Sequence, residues 1–245
     1  MTAYEMVSRK IEGYIAEDEH YRLIVRHDDN SDGPREWDNL GVMVCWHRNY
    51  NLGDEHDYSD PTNFALRLAL ELDDKFEDEG GTDEDIAKAW AIIKKNCVIL
   101  PLYLYDHSGI TMSVSSFSCP WDSGQVGYIY CTKEAAQKNW GIKDGGRVWD
   151  HVVYPRNKKN KENSLTGMTL RECTEKILKG EVKTYDHFIT GNVFWFELQI
   201  KDAKGEWEDK DSCGGFYGDD HVESGLIDYL PEEAKHLVKE LEWNS

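Results

Sequence analysis

One segment limits the fold more than any other. Cys97–Tyr105 is a nearly continuous apolar run bounded by Asn96 and Asp106, in a chain of 245 residues of which 31% are charged. A run of this length flanked by polar residues fits a central buried strand. Pro101 within it predicts an edge position or a bulge near its middle, because proline has no N–H to give a ladder. Ile110–Phe117 and Val126–Cys131 follow as two further strands, joined by a polar loop containing glycine. Nine Trp, thirteen Tyr and seven Phe supply enough apolar bulk for a packed core, which a disordered acidic chain lacks.

The remaining pattern is mixed. Tyr21–Arg26 and Gly41–His47 alternate or run apolar like half-buried strands, separated by the polar turn region Asp28–Asp38 with Gly33-Pro34. Phe64, Leu68, Leu72 and Phe76 recur every four residues, so Thr62–Asp78 is expected as an amphipathic helix. Thr82 with Asp85 forms a capping box for a second helix carrying Ile86, Trp90 and Ile93. Lys133–Trp140 is a short helix. Thr169 with Glu172 caps a helix through Leu170, Cys173, Ile177 and Leu178, with Gly180 as its stop. Asn192–Ile200 is an aromatic strand, Asp202–Gly205 a hairpin turn and Glu206–Asp211 the return. Asp219–Tyr229 and Glu232–Leu241 are two closing helices. Strands and helices do not alternate strictly, which argues for an α+β fold: a mostly antiparallel sheet with helices packed on one face. No linker is long or simple enough to mark a boundary, so a single domain over 1–245 is expected, with an exposed loop region at about 144–166.

Two constellations carry chemistry-bearing side chains. The first runs from Tyr105 to Gln125. Asp106 and His107 lie just past the buried strand, and Cys119 and Asp122 past the next one, where rigid scaffolds display functional groups. A thiol near an imidazole makes a nucleophile and its base, so Cys119 with His107 is the sharpest enzyme hypothesis. A divalent metal held by Asp106, His107, Asp122 and His221 is the alternative. His56, in the acidic stretch Asp54-Glu-His-Asp57, and His236 are solvated in this reading. The second constellation, Asp211–Gly225, holds Gly214, Gly215 and Gly218 before Asp219, Asp220 and Glu223. Carboxylates there repel phosphate and match a helix dipole. Phe194-Trp195-Phe196 reads as core before it reads as a base-stacking strand.

Charge decides what partners are excluded. Lys and Arg number 28 against 47 Asp and Glu, a net charge of −19, so a groove tracking nucleic-acid phosphates is not expected. The segment Asp54–Asp85 holds thirteen carboxylates against Arg67 and Lys75, and Asp202–Glu242 thirteen against four Lys. Lys133–Lys183 reverses the sign, with a basic knot at Arg156, Lys158, Lys159 and Lys161. No apolar stretch reaches membrane-spanning length, and charges throughout Met1–Ala16 exclude a secretory leader. Six Cys without framework spacing read as reduced thiols of a cytosolic protein.

Four segments carry a resemblance: Pro34-Arg-Glu-Trp-Asp-Asn-Leu-Gly41, Tyr105-Asp-His-Ser-Gly-Ile-Thr111, Phe117-Ser-Cys-Pro-Trp-Asp-Ser-Gly-Gln-Val-Gly127 and Asp211-Ser-Cys-Gly-Gly-Phe-Tyr-Gly218. They resemble a family of uncharacterised proteins met in tailed-phage genomes. The resemblance covers most of the chain. It implies a phage-encoded protein of the infected bacterial cytoplasm, and brings no activity or cofactor with it.

The expected function is therefore an acidic, counter-defence interaction protein. It would block a host nucleic-acid-binding or nuclease protein, without binding nucleic acid or membrane itself. Duplex DNA carries one charge per ~1.7 Å, so 19 net carboxylates match about 32 Å of its axis. The binding residues expected are Asp73, Asp74, Glu77, Asp78, Glu79, Asp83, Glu84, Asp85, Asp219, Asp220 and Glu223. The alternative is a metal- or thiol-dependent hydrolase of a nucleotide or nucleic-acid-related substrate, using Asp106, His107, Cys119 or Asp122. No cofactor is expected, other than a divalent metal on that second reading.

Overall fold

The computed structural model describes residues 12–142, 146–147 and 167–244. Most of the exposed loop region and the basic knot Arg156–Lys161 lie outside them. Within them the fold is α+β, with two antiparallel sheets. Contacts divide the chain into two compact units, Met1–Gly33 with His187–Ser245 and Pro34–Asp186. Each is described by itself.

The first unit is a five-stranded sheet in the order β8-β7-β2-β1-β9. Its strands are β1 (Gly13–Glu17), β2 (Tyr21–His27), β7 (Val193–Lys201), β8 (Trp207–Tyr217) and β9 (Glu242–Asn244). Period-two alternation puts Leu23, Val25, Phe194, Phe196 and Leu198 on one face. There they pack against Leu226, Leu230, Ala234, Leu237 and Val238. The closing segments are 3-10 helices, Leu226–Tyr229 and Glu232–Lys239, not the longer α-helices expected. Asp219, Asp220 and Glu223 consequently sit in the bend and turn before them, outside any helical first turn.

The glycine-bearing segment Asp211–Gly218 is mostly strand: β8 runs on to Tyr217 beside β7, with register shifts opposite Phe194/Phe196 and Leu198/Gln199. Glycine is required where the Asp28 carboxylate closes in, because Gly215 N–H donates to Asp28 Oδ2 at 3.0 Å and a Cβ on Gly214 would meet the same oxygen at 2.5 Å.

The second unit holds the four-stranded sheet β3-β6-β4-β5: β3 (Val42–Cys45), β4 (Cys97–Asp106), β5 (Ile110–Ser113) and β6 (Ser123–Thr132). Strand β5 pairs only with Tyr103–Asp106, so Pro101 has β6 as its sole ladder partner, and the register shifts at Leu102/Tyr103. Both devices that accommodate a strand proline are present.

Helix α1 (Pro61–Leu72) starts on an Asp60 side chain that accepts from Thr62 and Asn63 N–H, with proline at its first position. It ends six residues earlier than expected. Asp73 and Asp74 compete for backbone donors, and Phe76 reaches the core from a turn in which its N–H donates to the Asp73 carbonyl. The Thr82–Asp85 capping box opens α2 (Asp83–Asn96) as expected. Phe64, Leu68, Ala89 and Ile93 of these helices pack with Val44 and Tyr130 of the sheet.

Helix α3 (Lys133–Trp140) ends on left-handed Gly141. Helix α4 (Leu170–Ile189) passes straight through Gly180, the expected stop. Its buried stripe continues through Val182 and Tyr185, and that burial outweighs the ~1 kcal/mol a mid-helix glycine costs.

Candidate functional site

The residues predicted from the first constellation do come together, at one end of the β4–β6 pair. Asp106 N–H donates to the Asp122 carbonyl at 2.8 Å, which ties the two loops at the backbone. Ser108 takes a left-handed φ of 59° in the tight turn between β4 and β5, where His107 N–H donates to the Gly109 carbonyl. The Asp122 carboxylate then gathers two side chains on a single oxygen. Cys119 Sγ donates to Oδ2 at 3.5 Å, and His107 Nδ1 lies 3.5 Å from the same atom. Tyr50 OH donates to Asp106 Oδ1 at 3.3 Å, with its ring stacked on His47. Tyr105 lies between His107 and Phe117.

Both contacts run to the carboxylate and, among the described residues, no hydrogen bond joins the sulfur to the imidazole. A Cys–His dyad needs the imidazole beside the sulfur, whereas here both groups address the carboxylate. Nor do the three converge on a common point as metal ligands do. Among the described residues no group of three or more His, Cys, Asp or Glu is placed to hold a metal ion. His221, the fourth metal candidate, belongs to the other compact unit.

His221 lines a shallow depression of about 390 Å³ together with Asp219, Asp220, Val222, Val238 and Lys239. Its ring packs edge-on against Tyr14 and Phe194, and its Nδ1 is buried with no hydrogen-bond partner among the described residues. Burial lowers its pKa from the ordinary 6.5, against the opposing pull of Asp220 and Asp219. His56 is also structural. Its Nε2 lies 3.0 Å from the Cys45 carbonyl, an acceptor only, so Nε2 carries the proton. His236 is exposed and pairs with Asp18 at 3.2 Å. Phe194 and Phe196 are core residues, while Trp195 faces the other way beneath Arg26.

The acidic residues divide by role. Asp85 is buried, 2% exposed, and serves the capping box; the Thr82 hydroxyl it accepts from holds its carboxyl below the usual range. It drops out of the expected binding set. Asp73 accepts from Lys75 N–H, and Asp78 from Gly80 and Gly81 N–H, so both shape the turn while facing solvent. Asp74, Glu77, Glu79, Asp83 and Glu84 are exposed. Among the described residues, the one ion pair in this row joins Glu84 to Lys88. In the other unit, Asp219, Asp220 and Glu223 are exposed, and Asp220 accepts from Val222 and Glu223 N–H.

A cluster the sequence reasoning did not predict lies deeper. Arg35, with a 9% exposed side chain, grips Asp54 through two bonds of 2.8 Å and Glu181 through one of 3.0 Å. It also donates to the Gly41 carbonyl. Glu181 accepts from Leu40 and Gly41 N–H, and Asp54 from Met43 N–H. Burial opposes the Arg35 charge, but these carboxylates outweigh it and raise its pKa. Beside them, burial first and the Asp54 charge second push the Cys45 thiol up to about 12. Each guanidinium nitrogen of Arg35 has a partner within the protein, so the cluster is a clamp joining three chain segments.

The chain matches no family model, no curated protein and no solved structure. Among the described residues no helix is long and apolar enough to cross a membrane.

Proposed function

We propose that the chain is an acidic interaction protein, made by a phage in the cytoplasm of an infected bacterium, that covers the nucleic-acid-binding surface of a host defence protein such as a nuclease. The observation that supports this most is the connection between α1 and α2. Asp73, Asp74, Glu77, Asp78, Glu79, Asp83 and Glu84 fall within twelve residues, with Lys75 as the lone cation among them. The turn is held from beneath by Phe76 in the core and by the Asp78 and Thr82 bonds, so the carboxylates project from a fixed ledge. A preorganised row of negative charge competes with phosphates for a basic groove without first ordering a loop.

A net charge of −19 exceeds the magnitude of about 2–8 that keeps a small domain soluble. The hydrolase reading has less support, because Cys119 and His107 both contact Asp122 and, among the described residues, no hydrogen bond joins the thiol to the imidazole.

The test is affinity capture from bacterial lysate by the full chain, with elution by rising salt and, separately, by duplex DNA. The expected capture releases with both, since the contacts are charge contacts. A variant carrying Asp74→Lys, Glu77→Lys and Glu79→Lys is expected to lose it. A partner that stays bound in high salt and ignores DNA would overturn the reading.

A further inference from the structure

We infer that Trp121, with the carboxylates of Asp106 and Asp122, forms an arginine-binding patch through which the protein grips a guanidinium on its partner's surface. The inference rests on the acidic interaction reading and names the partner side chain that this second site takes.

Trp121 is 92% exposed, the most exposed of the large apolar side chains among the described residues. An indole in water forgoes the burial that makes tryptophan a strong core residue. A slack loop would explain such exposure, but this loop is not slack. Pro120 restricts Cys119 to extended backbone. Ser123 Oγ donates to the Cys119 carbonyl at 2.5 Å, and the Cys119 thiol donates to Asp122. The Asp122 carbonyl is bonded to Asp106 N–H, and its carboxylate faces His107. The residue that protrudes is thus flanked on both sides by fixed points. Docking against it orders little additional chain. The thiol–carboxylate–imidazole group is the brace that displays the indole.

The chemistry beside the indole selects the ligand. Both side-chain contacts on Asp122 fall on Oδ2, leaving Oδ1 without one among the described residues. Asp106 takes the Tyr50 hydroxyl on Oδ1, leaving Oδ2 likewise open. Asp122 adjoins Trp121 in the chain and Asp106 is bonded to Asp122 through the backbone, so a phosphate or anionic headgroup approaching the indole meets the field of two carboxylates. An apolar peptide would bury them unpaired, at a cost. A guanidinium meets both demands: its plane stacks on the indole while its N–H fork donates to a carboxylate. A lysine ammonium supplies the charge without the plane. Arginine is also the side chain that nucleic-acid-binding surfaces present, which connects this patch to the acidic ledge.

The experiment titrates nona-arginine and nona-lysine peptides separately onto three full-length chains. These are the wild type, Trp121→Ala, and the ledge variant Asp74→Lys/Glu77→Lys/Glu79→Lys. The wild type is expected to prefer the arginine peptide roughly two- to five-fold, the worth of one exposed cation–π contact. Trp121→Ala should bring that ratio to one while leaving affinity for the lysine peptide unchanged; the side chain contributes little to the fold, so folding is preserved. The ledge variant should weaken both peptides alike and keep the ratio. A wild-type ratio of one, or a preference that survives Trp121→Ala, overturns the arginine patch and leaves the ledge reading standing. A ledge variant that weakens neither peptide overturns the proposed function instead.

Discussion

Arg35 holds backbone from separate stretches of the chain together. Through it and its two carboxylates, the segments around Pro34–Gly41 and Met43–Asp54 are fastened to helix α4. Removing the guanidinium leaves Glu181, whose side chain is 11% exposed, facing Asp54 with no cation between them. Breaking a buried pair from one side costs about 3–5 kcal/mol. Arg35→Met should lower the unfolding free energy by at least about 3 kcal/mol in urea titration; a loss under about 1 kcal/mol would mean the clamp is ornamental. Arg35 and Asp54 fall in segments that the sequence picks out, Pro34–Gly41 and the acidic stretch Asp54–Asp57, though no local pattern pairs them. Glu181 is not legible in this way, because it is 146 positions from Arg35 and no local pattern encodes such a pairing. Asp106, His107, Cys119 and Asp122 were legible for the opposite reason. They sit at the adjoining ends of neighbouring antiparallel strands, so proximity in sequence becomes proximity in space.

His221 adds a pH response at the same scale. Its folded pKa lies below the ordinary 6.5, so the unfolded chain binds the proton more readily. The stability this neutral ring contributes is complete above pH 6.5 and is lost as pH falls through that value toward the folded pKa. His221→Phe keeps an aromatic ring between Tyr14 and Phe194 and removes the titration. Thermal melts of the variant should fall less steeply than those of the wild type between about pH 7 and pH 5. Parallel curves would show that the ring is solvated in the folded state.

At the scale of elements, local chemistry and tertiary burial take turns in control. The caps at Thr82 and Thr169 were legible because a cap is a contact over three residues. The ends of α1 and α4 were not. In α1 the apolar period outruns the helix, since Phe76 reaches the core from a turn. In α4 the helix outruns its glycine, since Leu178, Val182 and Tyr185 are buried on either side. Strand β1 was missed because its pattern of two buried positions in five gives little periodicity to detect. Nothing lies within 4 Å of where a Gly180 Cβ would sit. Gly180→Ala should therefore stabilise the protein by about 0.5–1 kcal/mol through helix propensity and a less flexible unfolded chain. A lower midpoint in urea would show that the glycine is needed for something the helix geometry does not reveal.

At the scale of the molecule, the chain order of the two units explains why no linker marks them. The first unit is discontinuous in sequence: its Leu23 and Val25 precede residues 34–186 and pack with Phe194 and Phe196, which follow them. Strands β2 and β7 are antiparallel neighbours with His27 opposite Phe194, and Asp28 N–H donates to the Val193 carbonyl at 2.8 Å. The chain thus leaves the sheet and returns to it at paired positions, as the two arms of a hairpin would. An insertion at such a point needs no long connection, so composition shows no break at Gly33-Pro34, and the return falls inside the last turn of α4. This architecture can be tested by shortening. A chain in which Asn-Gly joins Asp28 directly to Val193 supplies a two-residue hairpin turn of the favoured kind. It keeps every buried residue of the first core, from Ala16 to Val238. It loses the His27 ring contact to the Gly191 carbonyl, the Gly218 N–H bond to the Asn192 carbonyl and the Tyr217 hydroxyl bond to the Asp32 carbonyl. The shortened chain should unfold in one cooperative transition with dispersed amide resonances. Residues 34–189 expressed alone, with the α1–α2–β3–β6 core intact, should do the same. If the shortened chain instead collapses into a state that binds hydrophobic dye and melts without cooperativity, the five-stranded sheet depends on the inserted unit for more than its connectivity.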